Sequence, residues 1–214
     1  MTQHHFDMPE KRPDNSPVRY SGAAMLFHWS IAALVLFEFA SALSFRLFNP
    51  GEAGYVHSAY RLHMSSGMIL LAASLSCMIW RLLHAYPPLP RDMSAITRVL
   101  AKSAHILLYV FVIVVPLTGS LILSARSSPV GILGNFHWPQ VSLISHLDYS
   151  QRVKINDTLM PIHAFLSYAG MCLIALHVLA SLYHHFWRGD EVLARMLPPK
   201  VKGDLNHLNS PGNK

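Results

Sequence analysis

Four stretches of this 214-residue chain are apolar for long enough to cross about 30 Å of hydrocarbon, which takes roughly 20 helical residues. They run from about Ala23 to Phe45, Leu62 to Leu83, Ala101 to Ser124 and Ile162 to Phe186. Only 13% of the residues are charged, whereas an ordinary soluble domain carries about a quarter. A buried core alone does not explain that shortfall. The expected fold is therefore all-α, an integral membrane four-helix bundle over residues 23–186. Residues 1–22 precede it and 187–214 form a tail. The first apolar run follows 22 mixed polar residues and so does not read as a signal peptide. Cys77 and Cys172 fall inside apolar runs and are expected to be small buried hydrophobes, with no disulfide framework or zinc site.

Lysines and arginines orient the bundle. The N-terminal segment, the loop between the second and third spans and the C-terminal tail hold twelve of them. The two loops on the other side hold five: Arg46, Arg61, Arg126, Arg152 and Lys154. The positive-inside rule then puts both termini in the cytoplasm. Trp29, Trp80 and Trp187 fall near the same interface, where an aromatic belt belongs. The basic excess is a topology signal and does not point to nucleic acid. The Pro-rich stretch Tyr86–Pro90 reads as an interfacial turn, and the chain after Leu197 as a flexible end.

Fourteen histidines in so apolar a chain are the anomaly, because histidine is costly in hydrocarbon and is a frequent metal ligand. His163 and His177 are 14 residues apart on the fourth span. That separation is only about 40° from whole helical turns and rises roughly 21 Å, so both project from one face at two depths. Gly170 lies midway, with Ser167 nearby, and small residues there are expected to leave room for flat macrocycles. The first span enters from the cytoplasm with His28 a few residues in. The second enters from outside with His63 at its start and Gly67 one turn later. Topology therefore pairs His28 with His177 at the inner depth and His63 with His163 at the outer depth. Two bis-histidine sites stacked across the membrane are the pattern by which helix bundles hold haem iron. With no Cys-x-x-Cys-His motif, such haem is expected to be non-covalent.

Other histidines offer rival roles. His105 opens the third span at the inner depth and competes with His28 as a ligand. His184, seven residues beyond His177, is placed either to contact a haem propionate or a quinone head, or to sit at the interface with neither role. Zinc or copper transport is a further alternative, since imidazoles ligate those ions too. Such sites usually recruit carboxylates or thiolates. The one acid well inside a span, Glu38, is not expected to converge on either pair. As an intramembrane acid it is a functional candidate, or a protonated hydrogen-bonding group. Pro116 and Gly119 read as a kink and a packing site in the third helix.

Taken in order, these residues resemble the bacterial cytochrome b561 family, in the branch described as superoxide oxidases. The resemblance runs from about Arg19 to Pro198. It is carried by His28-Trp29, His63 with Gly67, Trp80-Arg81-Leu82-Leu83, Pro116 with Gly119, the series His163, His177 and His184-His185, and Arg195-Met196-Leu197-Pro198. It implies a multi-pass protein of the bacterial inner membrane with two b haems, their ligands falling on His28, His63, His163 and His177. It also implies ubiquinone as electron acceptor and superoxide taken from the periplasmic side. Glu38 is not part of the pattern. For the quinone, His184, Lys102 and the start of the first span around Arg19 are the inner-side candidates. The outer loops carry five basic against three acidic residues, a modest excess that favours a small anion. The alternative within the same chemistry is a haem-bearing anchor that links a dehydrogenase or hydrogenase partner to quinone.

Overall fold

The computed structural model describes residues 19–47, 53–84, 94–126, 131–132, 136–137, 139–190 and 192–197. The expected turn at 86–90, most of the segment 1–22 and the chain after Leu197 lie outside them. Four long helices dominate: α1 (Gly22–Leu47), α2 (Ala53–Leu83), α3 (Ala95–Arg126) and α5 (Tyr149–Phe186), each long and apolar enough to span a bilayer. The short α4 (Ser142–Ser145) and a two-residue antiparallel pair, β1 (Gly131–Ile132) with β2 (Phe136–His137), lie between α3 and α5. One turn of 3₁₀ helix, Ala194–Met196, follows α5. The fold is the expected all-α four-helix membrane bundle.

Three helices start earlier than their apolar runs. The clearest case is α5, whose 38 residues extend for about 57 Å. Its first turns are polar (Gln151, Arg152, Lys154, Asn156), and Gln151 Oε1 accepts the Asp148 backbone N–H at 3.3 Å to cap the start. Hydropathy marks where lipid begins, whereas capping marks where the helix begins, and here the two differ by more than three turns. In α3, Ser94 Oγ accepts the Thr97 N–H at 3.1 Å and likewise starts the helix ahead of the apolar run. At the far end of α5 the chain turns through Gly189, whose φ of 61° suits a residue without Cβ. Asp190 N then donates to His184 O at 3.1 Å.

The bundle has the inverted surface of a membrane protein. Large apolar side chains face outward, such as Leu82 at 78% exposure and Phe165 at 72%, while Ser41, Ser74, Thr118, Ser120 and Ser124 are buried among the helices. Small and hydroxylated residues let helix backbones approach closely where lipid tails offer no hydrophobic drive for association. Cys172 also faces outward, contrary to the expected burial, because it lies on the lipid side of α5; Cys77 is half-buried.

Direct packing joins α1 to α2, α2 to α3, and α3 to α5. The tightest of these contacts is at Gly170, where an added Cβ would overlap the Phe111 ring of α3. Phe111 in turn stacks on Phe39 of α1, with centroids 6.3 Å apart and ring planes 10° from parallel. The glycine midway between His163 and His177 therefore admits an aromatic ring of the protein itself, not the macrocycle expected from sequence. An alanine at 170 is expected to cost about 1–3 kcal/mol by overpacking, read as a lower melting temperature in detergent. Adding Phe111→Leu should recover part of that loss. Gly22→Ala, where a Cβ meets nothing within 4 Å, should leave the melting temperature unchanged.

Candidate functional site

At the outer level, α2 presents His63 and α5 presents His163, with ring centroids 6.4 Å apart and planes at 84°. His163 Nδ1 lies 3.1 Å from the Val115 carbonyl and 2.8 Å from Thr118 Oγ1 on α3. A carbonyl oxygen can only accept, so Nδ1 carries the proton and Nε2 keeps its lone pair. Pro116 has no N–H to give the turn before it. Beside it the Val115 carbonyl accepts from both Thr118 Oγ1, at 2.6 Å, and His163. Gly119 was expected only to pack the helix; a Cβ there would lie 3.4 Å from His163 Cε1, so its bare backbone leaves the ring its place.

His63 is held from α1. Its Nδ1 lies 2.7 Å from Glu38 Oε2 and 3.2 Å from Ser41 Oγ. The other carboxyl oxygen, Oε1, accepts a short hydrogen bond from Ser66 Oγ of α2. The expectation that Glu38 converges on neither pair is thus corrected: it touches His63 directly. Glu38 lies ten residues beyond His28 on α1, which lifts it about 15 Å toward the outer histidines. That rise was legible in the sequence, but only to a search for partners other than histidine at each depth.

At the inner level, His28 of α1 faces His177 of α5 with ring centroids 6.5 Å apart. His105 of α3 also reaches His177, at 5.7 Å, and its Nδ1 is 2.6 Å from the Ala101 carbonyl. All three inner histidines expected from sequence therefore meet in one place. Trp29, next to His28, donates from Nε1 to Met196 O at 2.9 Å, and Arg19 Nη1 donates to Leu197 O at 2.8 Å. Tyr20 N donates to Arg195 O at 3.1 Å, so the segment after α5 is fastened across the start of α1. His184 pairs through Nδ1 with Asp190 Oδ2, a partner that sequence spacing did not suggest; the turn at Gly189 brings it back. Lys102 lies exposed on α3, one turn before His105.

Four membrane-spanning helices with histidines facing one another at two levels form the architecture in which proteins of the membrane cytochrome class hold haem. Residues 19–199 match the family model described as prokaryotic cytochrome b561. Cytochrome b561 homolog 2 of Escherichia coli K12 is 30% identical over 184 residues, covering 86% of this chain and 93% of that protein. The probable superoxide oxidase CybB of Yersinia pestis is 29% identical over 182 residues, covering 85% and 97%. Cytochrome b561 homolog 1 of E. coli K12 is 25% identical over 180 residues, covering 84% and 97%. The chain belongs to the prokaryotic cytochrome b561 family. It is a multi-pass protein of the bacterial inner membrane that uses haem b for electron transfer, which sets aside the metal-ion transporter.

Proposed function

We propose that the chain holds two non-covalent b haems and carries electrons from periplasmic superoxide to ubiquinone, with both termini in the cytoplasm. His63 and His163 would ligate the outer haem, and His28 and His177 the inner one. The observation that carries this reading is the spacing of the two ring pairs. An iron between two imidazoles, with bonds of about 2 Å and about 1.1 Å more from each Nε2 to its ring centre, would separate the centroids by about 6.2 Å. The pairs stand at 6.4 and 6.5 Å. At 5.7 Å the His105–His177 pair is too close for the same arrangement, which favours His28 as the partner of His177. The Nδ1–H of His163 is already engaged by Val115 O, so its Nε2 is the nitrogen left for a metal.

When bound, haem b would supply a one-electron couple, and the histidine pair at each level would hold it. The chain's own contribution is to place the two histidine levels about 21 Å apart along α5, to exclude water between them, and to shape the ends. Superoxide as donor draws on the resemblance to the CybB relative and on the outer rim. There Ala125, Arg126, Tyr149, Arg152, Val153 and Asn156 line a cleft of about 250 Å³. Arg126 is set by hydrogen bonds to Tyr60 OH at 2.6 Å and Asn156 Oδ1 at 2.7 Å, so its charge stays at the rim. Two guanidinium groups at this mouth favour a small anion. For ubiquinone, the inner end offers His184 with Asp190, Arg19 beside the chain after α5, and exposed Lys102.

Purified protein is expected to yield two acid–acetone-extractable haems per chain. Substituting His63, His163, His28 or His177 by alanine should leave one, and His105→Ala should keep two. One haem in the fully loaded protein, or loss of haem from His105→Ala but not from His28→Ala, would contradict the assignment. Reversing Arg152 and Lys154 together to glutamate should slow reduction by superoxide severalfold. It should also flatten the salt dependence, which otherwise falls as ionic strength nears about 0.1–0.15 M, with the visible spectrum unchanged. A rate indifferent to both charges and salt would favour an anchor fed by a partner protein.

A further inference from the structure

Glu38 is the acid most deeply placed in the bundle; among the spanning helices the other is Asp157, near the outer end of α5. Carrying a carboxylate into a span is costly, so its neighbours matter. Its side chain is 11% exposed and receives a donor at each oxygen, His63 Nδ1 at 2.7 Å on Oε2 and the Ser66 hydroxyl on Oε1. A donor at each oxygen suits the ionised carboxylate, which can only accept. Gly67 of α2 lies beside this arrangement: a Cβ there would meet Oε2 at 3.6 Å, an ordinary van der Waals contact.

The second partners of the histidines differ between the two levels. His163 gives its Nδ1–H to a backbone carbonyl and a hydroxyl, and His105 gives its own to the Ala101 carbonyl; all of these are neutral. Among the described residues no carboxylate pairs with His28, His105 or His177. Of the five histidines at the two levels, only His63 is seen to pair with an acid. A carboxylate on the far nitrogen of a ligating imidazole fixes its tautomer and raises its basicity. It also favours the more positive oxidation state of the metal by simple attraction.

We propose that Glu38 is a positioning residue that aims His63 Nε2 at the outer iron and, through that ring, holds the outer haem at a lower reduction potential than the inner one. Electron flow from the outer to the inner level is then downhill by construction. The inference rests on the di-haem reading and adds a direction to it.

The test is spectroelectrochemical titration of the purified full chain, wild type against Glu38→Gln. Glutamine keeps the length and an acceptor oxygen but removes the charge. Both haems should remain bound. The lower-potential haem should rise by a factor of at least ten in its reduction equilibrium, about 59 mV for one electron, and the higher one should not move. The same shift in a His28→Ala background, which keeps the outer haem, identifies which haem has moved. Glu38→Asp, which retains the charge, should titrate closer to wild type than Glu38→Gln does. Should Glu38→Gln fail to fold, Ser66→Ala carries the test. It takes a donor from the carboxylate while leaving the partners of the His63 ring in place (the hydroxyl reaches only the His63 backbone carbonyl, at 3.4 Å), concentrates charge on Oε2, and should move the same haem downward. Wild-type protein without two haems would refute the di-haem reading. Two bound haems with neither potential changed, or with both changed equally, would overturn the role of Glu38 and leave that reading intact.

Discussion

An imidazole inside hydrocarbon needs partners for its ring nitrogens, and at the outer level that requirement organises the bundle. In the proposed reading one nitrogen would hold a metal, and the other needs a fixed acceptor from a neighbouring helix or from its own. α3 meets this need for His163 with the Val115 carbonyl, beside a proline that interrupts the ladder and a glycine that clears the ring. α1 meets it for His63 with Glu38. The helix order follows from the same need: α5 faces α1 across one pair of rings and α2 across the other, while α3 packs directly on α5 between the two levels.

That middle contact separates the two levels physically. Phe111 fills the notch at Gly170, seven residues from both His163 and His177, and stacks on Phe39, which adjoins Glu38. Two stacked aromatic rings thus lie between the histidine levels. The distance between the levels is set by the rise of α5 itself, and the close fit at Gly170 fixes how α3 sits against it. The ends of the bundle are built differently, from arginines, tyrosines and backbone carbonyls at the interface. Arg81, for example, donates to Tyr109 OH at 2.9 Å with its guanidinium over that ring.

Much of this was legible in the sequence, for identifiable reasons. Span length depends only on bilayer thickness, and the depth of each histidine depends only on helical rise and direction of crossing. His28, His63, His163 and His177 could therefore be paired without coordinates, and the rings are indeed neighbours. His105 could not be ranked, because depth was all that the sequence supplied and the distinction lies in less than an ångström of ring separation. Helix starts were missed where polar turns continue into water, since hydropathy does not register a cap such as Gln151 at Asp148. Gly170 was read as space for a cofactor because a small residue records only that something large is near. The Glu38–His63 contact joins different helices through two side chains whose directions no periodicity gives.

The central claim is that electrons cross the membrane through this chain in one direction. Reconstituting it in oriented vesicles containing ubiquinone, and generating superoxide on one face at a time, tests that claim most directly. Superoxide on the face bearing Arg126, Arg152 and Lys154 should reduce the chromophore and then the quinone, while superoxide on the face bearing the termini should act at least tenfold more slowly. Equal rates from both faces, or quinone reduction that appears only when a partner protein is added, would contradict the account.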